Sequence, residues 1–189
     1  PAEPHVRVTA AAVGACPAAE PGSPTPVSVH RTPDPADPYQ YPVYGAEEAA
    51  LPDGGRRFTR FAHLEAWVTE VVTGDWWSET WPQAPVEVAV QRRPASARAS
   101  LSHVAPGGHA AVLLMRSGHW NTVVAVHELA HLTSWWHPPS EGPHGATFAA
   151  DLLVLWRHLL GAHAYGALRS AFDEREVPYR LDRLERSAR

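Results

Sequence analysis

Two histidines four residues apart, with a glutamate directly after the first, mark the segment best suited to chemistry: His127-Glu128-Leu129-Ala130-His131. On an α-helix, positions i and i+4 lie only about 40° apart around the axis, so both imidazoles leave one face and can share an ion. Glu128 falls beside that ion, where its carboxylate can take a proton from a water acidified by the metal. The spacing follows from a division of labour. The ion lowers the pKa of water to about 7, and a separate carboxylate must accept the proton.

The surroundings support a metal. Glu128 is the only formally charged residue between Arg116 and Glu141, and the segment around it is apolar nearly all round: Val123, Val126, Leu129, Leu132, Trp135, Trp136. Such a helix is buried, and a carboxylate buried among neutral histidines is costly unless a cation compensates it. An apolar strand expected at 110–115 precedes it, where a substrate chain could lie alongside the metal. Two histidines compete as third ligand. His137 has the HExxHxxGxxH spacing, but Ser134 replaces its glycine, and the one methionine, Met115, comes too early for a methionine turn. His144 lies in Pro143-His144-Gly145-Ala146-Thr147-Phe148, at the mouth of the next expected helix, with Gly145 permitting close backbone approach. His144 is the preferred ligand.

His127-Glu128-Leu129-Ala130-His131 followed by His144-Gly145-x-x-Phe148 resembles a small bacterial family of HExxH metallohydrolases and, more distantly, the SprT-like zincin metalloproteases. The first likeness extends from about Tyr44 through Arg56-Arg57-Phe58 and Trp77–Trp81 to about Arg180. It implies Zn²⁺ bound by His127, His131 and His144, with Glu128 as general base. The chain departs from the pattern at Ala146, where a proline often follows the HG pair, and in the extra Trp135-Trp136-His137. It has neither a zinc ribbon nor a basic patch, so the DNA-repair role of SprT-like proteins does not carry over.

The elements that must position these residues are legible in outline. Phe61, Leu64, Val68 and Val71 recur at helical spacing before Gly74. Strands are expected at 86–90, 99–104 and 110–115, the last two joined by the turn Pro106-Gly107-Gly108. Three helices follow: about 121–136 with Asn121 as N-cap, one beginning after Gly145, and about 163–174. The expectation is an α+β, compact zincin-like domain, with a small, mostly antiparallel sheet followed by the HExxH helix and two further helices. Ten of the 19 prolines fall within residues 1–42. Residues 1–43 are therefore expected to be an extended tail and 44–189 the metallohydrolase domain.

Composition narrows the function. The 189 residues carry a net charge of −4, and all 16 basic residues are arginines dispersed along the chain, which argues against a nucleic-acid partner. The cluster Arg56, Arg57, Arg60 reads as a solvated helix start. A single cysteine, Cys16, excludes an internal disulfide or a thiolate zinc site. No apolar run reaches the roughly 18 residues of a membrane span, and a cytoplasmic location is expected. The expected activity is a zinc-dependent metallopeptidase acting on a peptide or other amide. Its alternatives are a small-molecule amidase on the same site and a non-catalytic zinc-stabilised binding module, closed by His137 as a fourth ligand. His103, His109, His119, Tyr165 and Arg180 are candidates for stabilising an oxyanion. Trp76, Trp77 and Trp81 read as core or anchoring residues rather than a substrate cleft.

Overall fold

The computed structural model describes residues 35–137, 139–180 and 182. Three helices open it: α1 (Gln40–Ala50), α2 (Phe61–Thr73) and α3 (Asp75–Thr80). Strands β1 (Glu87–Arg93), β2 (Leu101–Val104) and β3 (Ala110–Arg116) follow, then α4 (Thr122–Ser134), α5 (Ala146–Leu155) and α6 (Ala162–Glu174). The α+β class holds. Among the described residues no helix is long and apolar enough to cross a membrane.

The sheet corrects the expected, mostly antiparallel arrangement. Its order is β1-β3-β2, with β2 antiparallel to β3 (Leu101 opposite Leu114) but β1 parallel to it (Glu87 opposite Ala110, Arg93 opposite Arg116). The tight turn at Gly107 and Gly108, both at positive φ, dictates the antiparallel joint. Residues 94–100 carry the chain past the C-terminal end of β3, so β1 lies on its other side. Side chains hold this crossing in place. The Arg116 guanidinium donates through Nε to the Ala95 carbonyl (3.0 Å), the Arg116 backbone N–H to Ser100 Oγ (3.0 Å), and Arg93 Nη1 to the Ala99 carbonyl (2.8 Å). The middle strand is β3, with Ala111, Leu113 and Met115 buried. The edge strand is β2.

A second correction concerns the N-terminal boundary. The limit expected at residue 43 falls inside α1, and Asp37 and Val43 are already buried in the compact unit. The remainder of the expected tail, residues 1–34, lies outside the described residues.

The expected helices form for the expected reasons. Phe61, Leu64, Val68 and Val72 bury one face of α2, and Gly74 ends it, its N–H bonded to the Val71 carbonyl. Asn121 caps α4, its side-chain oxygen accepting from the Val124 N–H (2.9 Å). The start of α4 is also tied down from outside, because the Thr122 and Val123 N–H groups donate to the carbonyls of Arg56 and Gly54. Arg57 bridges Asn121 there, a structural use of the Arg56–Arg60 cluster. Most of α4 and all but the first residue of α5 are buried. Leu129, Leu132, Leu152 and Leu155 are fully enclosed, each contributing about 1.5–3 kcal/mol. Trp77 and Trp81 are core residues; Trp81 Nε1 donates to the buried Asp151 carboxylate of α5 (2.9 Å).

Candidate metal centre

Helix α4 presents His127 and His131 toward the mouth of α5, where Gly145 acts as N-cap and His144 precedes it. The ligand nitrogens of His127, His131 and His144 all lie within 4.8 Å of one another. Nε2 of His127 and Nε2 of His144 are 3.2 Å apart. Two imidazole nitrogens held at 2.0–2.1 Å by a tetrahedral ion would be separated by about 3.3 Å. Phe148, on the first turn of α5, packs against all three rings, with centroids 4.5–5.1 Å away.

Two histidines are oriented by carboxylates. Glu47 Oε2 accepts from His127 Nδ1 at 2.9 Å, and Asp37 Oδ2 from His144 Nδ1 at 2.6 Å. With Nδ1 engaged, Nε2 of each ring is the atom aimed at the shared point, as for a metal-ligating histidine whose far nitrogen bonds a carboxylate. Burial, and then the charge of His127, hold His144 down to about 4 despite Asp37. Burial likewise takes His131 well below the usual range, reinforced by His127 and His144. Burial also opposes charge on His127, but its hydrogen-bonded Glu47, then Glu128 and Asp37, outweigh it and raise its pKa.

Glu128 is buried beside the histidines, and burial raises its pKa, partly offset by His127, the Ser102 hydroxyl that hydrogen-bonds it, and Arg93. The cleft in front has a volume of about 490 Å³, with Glu128, the three histidines, Trp135 and the whole of β2 along its walls. It is the edge strand β2 that lines the cleft, not the 110–115 strand expected there, because β3 has neighbours on both sides. Tyr44 of α1 closes another wall, its ring 5.1 Å from that of His127 and 5.4 Å from that of His144. Burial raises the Tyr44 pKa against its hydrogen bond with Gln40, and the carboxylates of Glu128, Glu47 and Asp37 add to the effect, so the hydroxyl keeps its proton.

The four residues expected from the motif, His127, Glu128, His131 and His144, meet in one place. His137 is not in the cluster; its ring packs 4.0 Å from that of Trp136 and lines a neighbouring hollow of about 270 Å³. Of the oxyanion candidates, His103 lines the cleft and His119 an adjoining cavity. His109 is exposed at the foot of β3, Tyr165 lies under Arg157, and Arg180 pairs with Glu141 at 2.9 Å. Sequence reasoning passed over Asp37, Tyr44, Glu47 and Ser102. One signal was present: Gln40, Tyr44 and Glu47 stand at i, i+4 and i+7, a polar stripe along one face of the helix, flanked by the buried Val43 and Ala46.

Three neutral-capable imidazoles, two of them backed by carboxylates, suit a borderline divalent ion such as zinc, and among the described residues no fourth ligand joins them. Comparisons with protein-family models, with curated proteins and with solved structures return no match to this chain.

Proposed function

We propose that the protein is a zinc-dependent hydrolase, in the first instance a metallopeptidase, with His127, His131 and His144 holding the ion and Glu128 as general base. The observation that carries this reading is the convergence of three histidine nitrogens within 4.8 Å, with the buried Glu128 in the same cleft. A divalent ion held there supplies Lewis acidity, which lowers the pKa of a water and polarises a carbonyl oxygen. Glu128 accepts the proton of the attacking water on its carboxylate and returns it to the leaving amine, with the Ser102 hydroxyl steadying it between the two transfers. Tyr44 lines the same cleft from α1, and its protonated hydroxyl is the chain's own donor for the oxyanion formed on attack. Asp37 and Glu47 fix the ring orientations of His144 and His127.

A peptide is favoured over a compact amide by one feature. The edge strand β2 runs the length of the cleft beside Glu128, offering backbone groups to an extended chain. The test is metal content per chain, for wild type, His144→Ala and His137→Ala, together with hydrolysis of a peptide library. One zinc in wild type and in His137→Ala, lost in His144→Ala, is expected, with turnover following the metal. Metal retained by His144→Ala would overturn the ligand set. A fully loaded protein that hydrolyses no amide would return it to the zinc-stabilised binding module.

A further inference from the structure

A second cavity, of about 200 Å³, adjoins the metal centre and shares Tyr44, His127 and Glu128 with the larger cleft. Arg98, Arg116 and His119 also line it, as does Glu47. Arginines dispersed in the sequence are gathered here because the 94–100 crossing brings Arg98 over the end of β3, where Arg116 sits. Arg116 is held in place. The Arg116 guanidinium donates through Nε to the Ala95 carbonyl and through Nη1 to His119 Nε2, leaving Nη2 to bind elsewhere. Accepting at Nε2 requires a neutral His119, in line with the lowering of its pKa by burial and then by Arg116 and Arg57. The loop that carries Arg98 is pinned on either side, at Ala95 by Arg116 and at Ala99 by Arg93.

The cavity's carboxylates do not satisfy these arginines. Glu47 is bonded to His127 and Glu128 to Ser102, and among the described residues neither Arg98 nor Arg116 forms an ion pair. A guanidinium fixed by a backbone carbonyl, as that of Arg116 is, with donors to spare, recognises carboxylates, and Arg98 on the same cavity wall adds a second cation. Because this cavity shares Tyr44, His127 and Glu128 with the larger cleft, a substrate group close to the scissile amide can enter it, and one residue of extended chain spans about 3.3–3.6 Å.

Building on the metallopeptidase reading, we propose that Arg98 and Arg116 form a carboxylate subsite that selects substrates bearing a carboxylate one residue beyond the bond cleaved. The C-terminal carboxylate of a peptide and an acidic side chain at that residue share this chemistry.

The experiment has two parts, both on the full chain. Metal-free protein is titrated with N-acetylglycine and N-acetylglycinamide, followed by NMR. The acid is expected to bind about 10-fold or more tightly than the amide, and the preference to disappear in Arg98→Gln and Arg116→Gln. Arg98 is exposed and makes no structural hydrogen bond among those described, so Arg98→Gln stays informative if Arg116→Gln fails to fold. Zinc-loaded protein is then given three N-acylated peptides: one with a free terminus, one amidated, and one amidated with a terminal glutamate residue. Preference for the free terminus alone identifies the chain end as the source of the carboxylate, and equal use of the glutamate peptide identifies the side chain. In both cases Arg98→Gln raises KM more than it lowers kcat. Equal binding of acid and amide by wild type, or a preference that survives both substitutions, overturns the subsite. Acid-selective binding without hydrolysis of any peptide would sink the metallopeptidase reading alone, and hydrolysis indifferent to the carboxylate would sink the subsite alone.

Discussion

Asp37 Oδ2 and His144 Nδ1 lie 2.6 Å apart although 107 residues of chain separate them. The pair ties the approach to α1 to the mouth of α5, and it aims His144 Nε2 at His127 Nε2, whose own Nδ1 is held by Glu47. A histidine fixed at its far nitrogen is a better ligand than a free one, in orientation and in basicity. Asp37→Asn and Glu47→Gln are therefore expected to weaken zinc binding by about 10–100-fold each without abolishing it. Competition against a calibrated chelator measures this directly. Affinity unchanged in both variants would mean that the imidazoles are positioned by packing on Phe148 and Tyr44 alone.

Glu128 invites a different separation, of metal from chemistry. Glutamine has the same shape and can still bond the Ser102 hydroxyl, but it cannot accept a proton. Glu128→Gln is expected to keep its zinc while kcat falls by about 10²–10⁴-fold, the usual contribution of a positioned base. Full turnover with a full complement of metal would remove Glu128 from the mechanism.

The candidate metal-binding cluster was legible in the sequence because its spacing is local. His127, Glu128 and His131 are set by one helical turn, and His144 by a glycine and an apolar helix directly after it. Their supports were not. Helix α1 carries Pro42 in its first turn and has no side-chain cap, so its short, weakly periodic sequence merges with the proline-rich stretch before it. Glu47 reads as a surface acid until α1 is packed on α6 and its carboxylate meets His127 of α4. The strands were readable, 86–90 from its alternation and 110–115 from its apolar run, but not that β1 would pair parallel to β3. That depends on where the 94–100 crossing takes the chain, and it is the same crossing that gathers Arg98 and Arg116.

Gly145 is a position where a single methyl group should act on the metal. Its φ of −71° suits any residue, so backbone strain is not at issue. A Cβ there would, however, meet the Glu141 carbonyl oxygen at 2.3 Å and the Glu141 Cβ at 2.7 Å. Gly145→Ala must therefore push the 139–144 segment, and with it His144, away from α4. A loss of zinc affinity comparable to that of Asp37→Asn is expected. Gly107→Ala is the control: φ is +95° and nothing lies within 4 Å, so only a backbone cost of about 1–2 kcal/mol should appear, with zinc affinity unchanged. Equal zinc affinity in the two variants would show that the loop absorbs the methyl group.

Glu141 fastens that same loop from the other side. Its carboxylate accepts from the Thr147 N–H (3.1 Å) and hydroxyl (2.8 Å) in the first turn of α5, and from Arg180 Nη2 (2.9 Å). Partial burial alone would raise the Glu141 pKa, but the hydrogen bonds from Arg180 and Thr147 outweigh it and hold it below its ordinary value of 4.5. The ionised form is thus the one favoured by folding. Its contribution is fully present above pH 4.5 and is lost as pH falls through the lowered folded-state value. Glu141→Gln is expected to cost about 1 kcal/mol near neutrality, as loss of a helix cap does, or roughly 2–4 °C in Tm. The gap between variant and wild type should narrow steadily as the medium is acidified below pH 4.5, because protonation removes the same charge from the wild type. A gap that stays constant down to pH 3 would assign the effect to shape rather than charge, and would leave the Arg180 pairing without a stabilising role.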